Sequence, residues 1–366
     1  MLYATPTPGP ELRDRLAQLD ALRKELGHAA GRPARWLGPL RRSIRASSIE
    51  SSTSIEGYGV APADAIALVG DPNLANPEEE SEMAIACYAR AMDRVGVLAS
   101  DPAFRWLDRV VLDLHFDVCH FQRDKSPGLW RTGPIGVAGS DGSLEFRGPD
   151  AEAVPDLMAE MVTWLQEGDL DAHIVVRAAM AHLHVASVHP FPDGNGRVAR
   201  IVQSLVLARE GLLSPEFSSI EEYLGEHTPA YYSALREVQG GGYKPKRDAS
   251  SWVAFCVEAH IDQAQRRLGQ VRSAADRWER LEALAQHRGW PKRLVIALEQ
   301  SLFGGTDRAR YRREADVSMP TASADFRRLL DAGLVEQIGR GRNTRYRASD
   351  LLRGEVAAAG EERLGE

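Results

Sequence analysis

His189-Pro190-Phe191-Pro192-Asp193-Gly194-Asn195-Gly196-Arg197-Val198-Ala199-Arg200 lies between two apolar stretches of helical spacing. Two glycines flank Asn195 just before a helix, so the backbone is free to take a positive-φ turn that aims successive N–H groups at one point. The following helix adds the unpaired N–H groups and positive dipole end of its first turn, which together make a cradle for an anion such as a phosphate. Arg197 and Arg200 are three apart on that first turn, so both guanidinium forks can face one polyphosphate. Asp193 is a hard oxygen ligand suited to a Mg²⁺ that bridges phosphates. His189 adds a base near neutral pH, able to take a proton from an attacking hydroxyl. These residue types in this order imply a phosphoryl or nucleotidyl transfer site.

Outward from this loop the chain reads as mainly α. Helical patterning covers 156–166 and 172–188 before the loop, and RVARIVQSLVLAREGLL after it, ending at about Gly211. Residues 11–30 form an amphipathic pattern, and 77–98 open with Pro77 and acidic residues as a helix N-terminus does. Residues 42–59 are serine-rich, and short hydroxyl side chains favour caps and turns there. The stretch from Trp130 to Glu145, with Gly, Pro and Asp-Gly punctuation around alternating apolar residues, reads as a small β-hairpin, a flap.

Residues 274–350 read as a separate unit: helices to about Leu302, a Gly-Gly break, ADVSMPTASADFRRLLDAGL, then the hairpin pattern VEQIGRGRNTRYRAS. That order suggests a winged helix-turn-helix. The expected division is therefore 1–100, a helical region; 101–265, the core; 266–350, a helical linker and the winged helix; and 351–366, a tail that frays. Between Asp307 and Arg347 ten arginines stand against six acidic residues. Phosphate contacts by Arg340, Arg342 and Arg345 of the wing imply salt-sensitive DNA binding; Asp325 and Asp331 on the candidate recognition helix argue for a dimerisation or docking role instead.

A chain of 366 residues that is 43% hydrophobic can bury a large core in two or three units. A net charge of −7 excludes a chain devoted to wrapping nucleic acid. No apolar run approaches the roughly 18–20 residues that span a bilayer, and residues 1–30 are charged throughout, so no membrane association and a cytoplasmic location are expected. Cys87, Cys119 and Cys256 are too scattered for a disulfide framework. His182 and His184 precede the loop without a third ligand and read as core histidines.

The loop matches H-x-F-x-[DE]-G-N-G-R-x-x-R at every specified position, and on these residues the chain resembles the Fic family, whose likeness extends over about residues 40–260. The resemblance implies a helical Fic-type core with His189 as general base, Asp193 on Mg²⁺, and the Gly194-Asn195-Gly196 backbone on the α- and β-phosphates of ATP. Arg197 and Arg200 are implied on the β- and γ-phosphates, with Phe191 anchoring the loop. Gly128-Leu129-Trp130-Arg131 resembles the start of the family's flap, whose strand edge would align a protein target through Ile135 and Val137. The stretch after the hairpin lacks the paired prolines often found there. Tyr231 and Tyr232 stand where the family places nucleotide-side aromatics, with plain packing as the alternative.

Kinase-type relatives carry lysine where Gly196 stands, so the resemblance favours transfer of AMP from ATP to a Ser, Thr or Tyr hydroxyl of a protein, this protein itself included. Ser52-Thr53-Ser54-Ile55-Glu56-Gly57 resembles the family's inhibitory motif [ST]-x-x-x-E-[GN], placed before the core. Glu56 is thereby expected to pair with Arg200 and occupy the space of the γ-phosphate. Two other readings stay open: removal of AMP from a modified protein by the same site, and a DNA-binding regulator whose core only senses nucleotide. A homodimer is expected from relatives of this kind.

Overall fold

The structure, a computed structural model, describes residues 1–31, 34–138, 144–303, 305–339, 341 and 344–357. The chain divides into two compact units, residues 1–31 with 39–269 and residues 34–38 with 270–357. Along it run α1 (Pro10–Gly31), α2 (Leu37–Ser54), α3 (Pro62–Gly70), α4 (Glu80–Ser100), α5 (Asp108–Cys119), β1 (Gly136–Ala138) and β2 (Leu144–Arg147). Then come α6 (Val154–Glu167), α7 (Ile174–Val188), α8 (Asn195–Ala208), α9 (Pro215–Ser218), α10 (Glu221–Glu226), α11 (Thr228–Gln239) and α12 (Ser250–His287). The last elements are α13 (Leu294–Leu302), α14 (Arg308–Ala315), α15 (Met319–Asp331), β3 (Val335–Ile338), β4 (Arg345–Ala348) and α16 (Asp350–Ala357).

α7 and α8 form the centre of the first unit. Every residue of α7 from Ala178 to Val188 is buried, as is every residue of α8 from Arg197 to Ala208. A helix apolar on all sides belongs inside a core, and α4 and α5 pack beside this pair. Polar residues accompany them inside: His182 holds Gln203 Oε1 at 2.7 Å through Nδ1 and the Tyr231 hydroxyl at 3.0 Å through Nε2. Burial pushes the His182 pKa down to about 3, so it is a neutral core histidine, as expected from sequence. His184 is likewise buried, edge-on to Trp164.

The serine-rich segment differs from its reading as caps and turns: α2 runs helically through to Ser54. Tertiary burial overrides propensity there, with Ile44, Ala46, Ser48, Ile49, Ser52 and Thr53 all inside. The helix then stops in a Schellman motif. Tyr58 N–H donates to the Thr53 carbonyl and Gly57 N–H to the Ser54 carbonyl, with Gly57 at φ +89°, a conformation that glycine takes without strain.

The flap strands are shorter and later than the Trp130–Glu145 expectation: β1 and β2 pair antiparallel with Val137 opposite Phe146, and a bulge separates Val137 from Ala138. The Asp-Gly turn expected between them lies outside the described residues. α8 begins at Asn195 and ends at Ala208, short of the expected Gly211.

In the second unit α13, α14 and α15 precede the antiparallel pair β3–β4, whose register sets Val335 against Ala348 and Ile338 against Arg345. Phe326 of α15 stacks on Tyr346 of β4 at 4.0 Å and packs edge-on to Tyr311 of α14. Arg340, Arg342 and the tail beyond Ala357 lie outside the described residues.

Candidate active site

α7 ends because His189 turns into the left-handed region at φ +50° and Pro190 follows, which lacks the N–H to continue a helix. The His189 N–H still reaches the Val185 carbonyl at 2.9 Å. Nδ1 of its ring lies 3.1 Å from the Ala186 carbonyl, which fixes the proton on Nδ1 and leaves Nε2 with a free lone pair. Burial lowers the His189 pKa and the Arg131 charge adds to that, against opposing contributions from the Ala186 carbonyl, Glu56 and Asp193. The ring is therefore neutral, a base, at pH 7.

Five residues of loop, Pro190 to Gly194, separate His189 from α8, and side chains inside the core hold them. Phe191 is fully buried, stacked on His115 at 3.7 Å and beside Trp130 at 5.0 Å. Asn195 folds back on the Phe191 peptide, accepting its N–H at 2.9 Å and donating to its carbonyl at 2.8 Å. His115 accepts the Gly128 N–H on Nδ1 at 2.9 Å and so donates from Nε2 to the Asp193 carbonyl at 3.2 Å. Its pKa is pushed down to about 4 by burial, which keeps that tautomer neutral. Gly194 takes φ +72°, and a Cβ there would meet Cys119 Sγ at 2.5 Å, so glycine is required on both counts.

The cradle so formed, at the N-terminus of α8, faces a carboxylate of this chain. Glu56, the C-cap of α2, sends Oε2 to Arg197 Nε at 2.6 Å and Oε1 to Arg200 Nη2 at 2.9 Å. The expected Arg200 pairing is present, and Arg197 is a second partner. Arg200 also donates to Ser52 Oγ at 2.6 Å and to the Ser52 carbonyl at 2.9 Å. A Cβ on Gly196 would lie 2.6 Å from Glu56 Oε1, so the carboxylate rests against the first turn of α8. A negative charge at the C-terminal end of α2 is unfavourable, and the dipole of α8 and the two guanidiniums offset it. Burial alone would raise the Glu56 pKa, and the two arginines outweigh it, holding the carboxyl below its usual range.

Glu56, His189, Asp193, Gly194 and Gly196 line a cleft of about 370 Å³ whose lining also includes Ile135 and Val137 of the flap. Arg197 and Arg200 are 0% and 2% exposed, buried behind Glu56. Arg197 Nη2 has no hydrogen-bond partner among the described residues and lies 3.9 Å from Asp193 Oδ1, a buried donor that suits an anion. Asp193 is one carboxylate at the cleft edge, and no group of three metal-ligating side chains occurs among the described residues. That donor set fits a Mg²⁺ held mainly by nucleotide phosphates and water, not an all-protein metal cage.

Tyr231 and Tyr232 both line the cleft but differ in character. Tyr231 is buried at 1% exposure and spends its hydroxyl on His182, whereas Tyr232 is 37% exposed. Packing claims Tyr231, and Tyr232 is the aromatic available to a ligand. His115, Cys119 and Tyr58, whose ring lies 5.3 Å from the Arg197 guanidinium, belong to the site without any signal in the sequence pattern.

The chain is 38% identical over 98 residues to a probable protein adenylyltransferase of Aquifex aeolicus, covering 26% of this chain and 28% of that protein. It is 33% identical over 167 residues to the protein adenylyltransferase fic-1 of Caenorhabditis elegans, 45% of this chain and 29% of that one. A uridine 5'-monophosphate transferase of Xanthomonas campestris is 30% identical over 141 residues, 36% of this chain and 26% of that protein. The chain thus spans less than a third of the length of these relatives. Among solved structures, a Fic family protein from Desulfovibrio desulfuricans has a similar fold at a TM-score of 0.57 and 21% identity, covering 94% of this chain and 98% of that one. The model of the Fic/DOC family matches residues 106–207, the span from α5 through the loop to α8, and this part of the chain is a Fic/DOC domain.

Proposed function

We propose that this chain is a protein adenylyltransferase that moves AMP from ATP to a Ser, Thr or Tyr hydroxyl of a protein and is held inactive by Glu56. The observation that carries the reading is a neutral His189 with Nε2 free, beside a glycine turn and helix N-terminus that point two arginines at one anion site. The target hydroxyl oxygen attacks the α-phosphorus of ATP, its proton passes to His189 Nε2, and the bond from the α-phosphorus to the bridging oxygen breaks to release pyrophosphate. Backbone N–H groups of Gly194, Asn195 and Gly196 stabilise charge on the α- and β-phosphates, and Arg197 and Arg200 hold the β- and γ-phosphates. Asp193 would hold a Mg²⁺, which would supply neutralisation of phosphate charge. Ile135 and Val137 present the strand edge on which a target segment aligns by main-chain pairing. Tyr232 stands beside the nucleotide, and Tyr231 supports it.

Glu56, with Ser52 and Gly57 shaping its approach, is the brake. Its carboxylate takes the two guanidiniums that the terminal phosphates require, so ATP binds productively only when α2 releases it. The test is incubation of purified wild type, Glu56→Gly and His189→Ala with Mg²⁺ and ATP or UTP, read by intact-mass and peptide mass spectrometry. Added AMP on Glu56→Gly, little on wild type and none on His189→Ala supports transferase, brake and base together. Modification by UTP alone favours the uridylyl reading suggested by the Xanthomonas relative. No modification by any nucleotide, with cell lysate supplied as target, overturns the proposal in favour of AMP removal, for which Glu56 beside His189 would orient water.

The second unit is read as a winged helix, and one observation favours DNA as its partner. Asp325, an acid on α15 that would repel DNA, is buried and takes Arg293 at 2.8 and 3.1 Å and the Tyr311 hydroxyl at 2.8 Å. Its charge is turned inward, while Arg327, Arg328 and Arg345 are exposed. Duplex binding that weakens linearly in log salt supports this, and no binding at low salt removes it. The homodimer, self-modification, a cytoplasmic location and the division at residues 100, 265 and 350 complete the reading. Three free buried cysteines suit a reducing compartment.

A further inference from the structure

Arg131 lies at the root of the flap, 4% exposed, and among the described residues its guanidinium donates to main-chain carbonyls alone. Nε donates to His189 at 2.8 Å, Nη1 to Gly133 at 2.8 Å, and Nη2 to Pro149 at 2.6 Å and to Val188 at 3.5 Å. Its own N–H donates to the Pro190 carbonyl at 2.9 Å. Five bonds therefore join the chain entering β1, the chain leaving β2 and the three consecutive residues 188–190.

Two physical features make this more than packing. His189 is a non-glycine residue at φ +50°, a strained conformation that persists where surrounding contacts over-determine it. Arg131 engages the carbonyls on both sides of that residue. The cation also sits on the last carbonyls of α7, the negative end of its dipole, which offsets part of the cost of burying a guanidinium away from water. Gly148 leaves room for the arrangement, since a Cβ there would lie 3.3 Å from Arg131 Nη2 and 2.7 Å from Ile135 Cγ2. Gly148 N–H in turn donates to the Ile135 carbonyl at 3.1 Å, so the clamp reaches the strand edge proposed for target docking.

We propose that Arg131 is a positioning residue for the transfer reaction: it holds His189 in its left-handed conformation and ties the base to the flap, so that target alignment and proton removal share one rigid frame. The inference rests on the AMP-transfer reading for its kinetic arm. The charged groups around the His189 ring are Arg131 from the flap root, Glu56 from the end of α2 and Asp193 from its own loop. The Glu145–Arg236 pair lies on the flap side of the same cleft.

The experiment places Arg131→Gln, Arg131→Lys and Gly148→Ala in the Glu56→Gly background. It measures Mg-ATP affinity by calorimetry, kcat with its pH profile, thermal melting, and the titration of His189 by histidine C2-hydrogen exchange. Arg131→Gln is expected to lower kcat about 100-fold, the scale of a misplaced reacting group, with Mg-ATP affinity retained. Loss of the positive charge also moves the His189 titration and the acid limb of kcat to higher pH. Arg131→Lys loses rate but keeps both pH midpoints, because its charge remains, and Gly148→Ala does the same more mildly by displacing the guanidinium. An unchanged kcat in Arg131→Gln overturns the proposal. So does a parallel fall in kcat, nucleotide affinity and melting temperature in all three variants, the mark of general damage. If the Glu56→Gly parent transfers nothing, the AMP-transfer reading fails by itself; the exchange arm still decides the clamp, and an identical His189 titration in parent and Arg131→Gln refutes it.

Discussion

Replacing Glu56 by alanine strips the carboxylate from two guanidiniums that are 0% and 2% exposed. Two charge-assisted hydrogen bonds are lost, at 2.6 Å to Arg197 and 2.9 Å to Arg200. Bonds to charged groups contribute about 1.5–3 kcal/mol each, and because the Glu56 side chain is 19% exposed the lower figure applies, giving about 3 kcal/mol in total. For a unit of this size 1 kcal/mol moves the melting temperature by about 2–4 °C, so the nucleotide-free variant should melt about 6–12 °C below wild type. Nucleotide reverses the order of the effect. In Glu56→Ala the arginines are open to phosphates, and binding stabilises the folded state in proportion to the logarithm of ligand over Kd, so Mg-ATP should raise its melting temperature by more than it raises that of wild type. Differential scanning fluorimetry with and without Mg-ATP measures both numbers. Equal melting of the two proteins without nucleotide, or an equal gain on adding it, would refute the view of Glu56 as an internal occupant of the anion site.

The Glu56 pKa is lowered, so its contribution to stability is complete above its usual value of 4.5 and is lost as pH falls through the depressed value; urea titrations from pH 7 downward should show this acid loss in wild type and not in Glu56→Gln. His189 is held below its usual 6.5, so transfer by the released enzyme should be flat through pH 7 and fall only on the acid side of 6.5; an acid limb above 7 would contradict the assigned environment. Gly194→Ala should cost about 1 kcal/mol for the positive φ plus the clash with Cys119, and adding Cys119→Ala should recover the steric part alone, measured by denaturant melts. Asp325→Asn should destabilise the second unit through loss of the Arg293 pair, while Mg-ATP affinity stays that of the parent.

The residues 189–200 announce their chemistry because anion binding there is local: a glycine turn, a helix N-terminus and arginines one turn apart need no distant part of the chain. The mainly helical fold and the flap were legible for related reasons, through periodicity and turn residues, and the pairing of Glu56 with Arg200 through the resemblance of residues 52–57 to the family's inhibitory motif. The helical state of the serine-rich segment was not, because intrinsic preference in α2 favours caps, and burial of Ile44, Ile49, Ser52 and Thr53 decides otherwise. Nor was the second grip of Glu56 on Arg197, which depends on the angle at which the end of α2 meets α8. Tyr231 and Tyr232 are neighbours in sequence, yet one faces His182 in the core and the other faces the cleft, a choice made by the orientation of α11. His115 and Arg131 brace the loop from 74 and 58 positions before His189, at separations where no local pattern operates. The sequence by itself determined the reaction class that this loop can serve, since that rests on neighbouring atoms. Which carboxylate fills the cradle, which tautomer His189 holds and what keeps its backbone in place were decided by tertiary structure alone, because each depends on groups that only packing brings within hydrogen-bond distance.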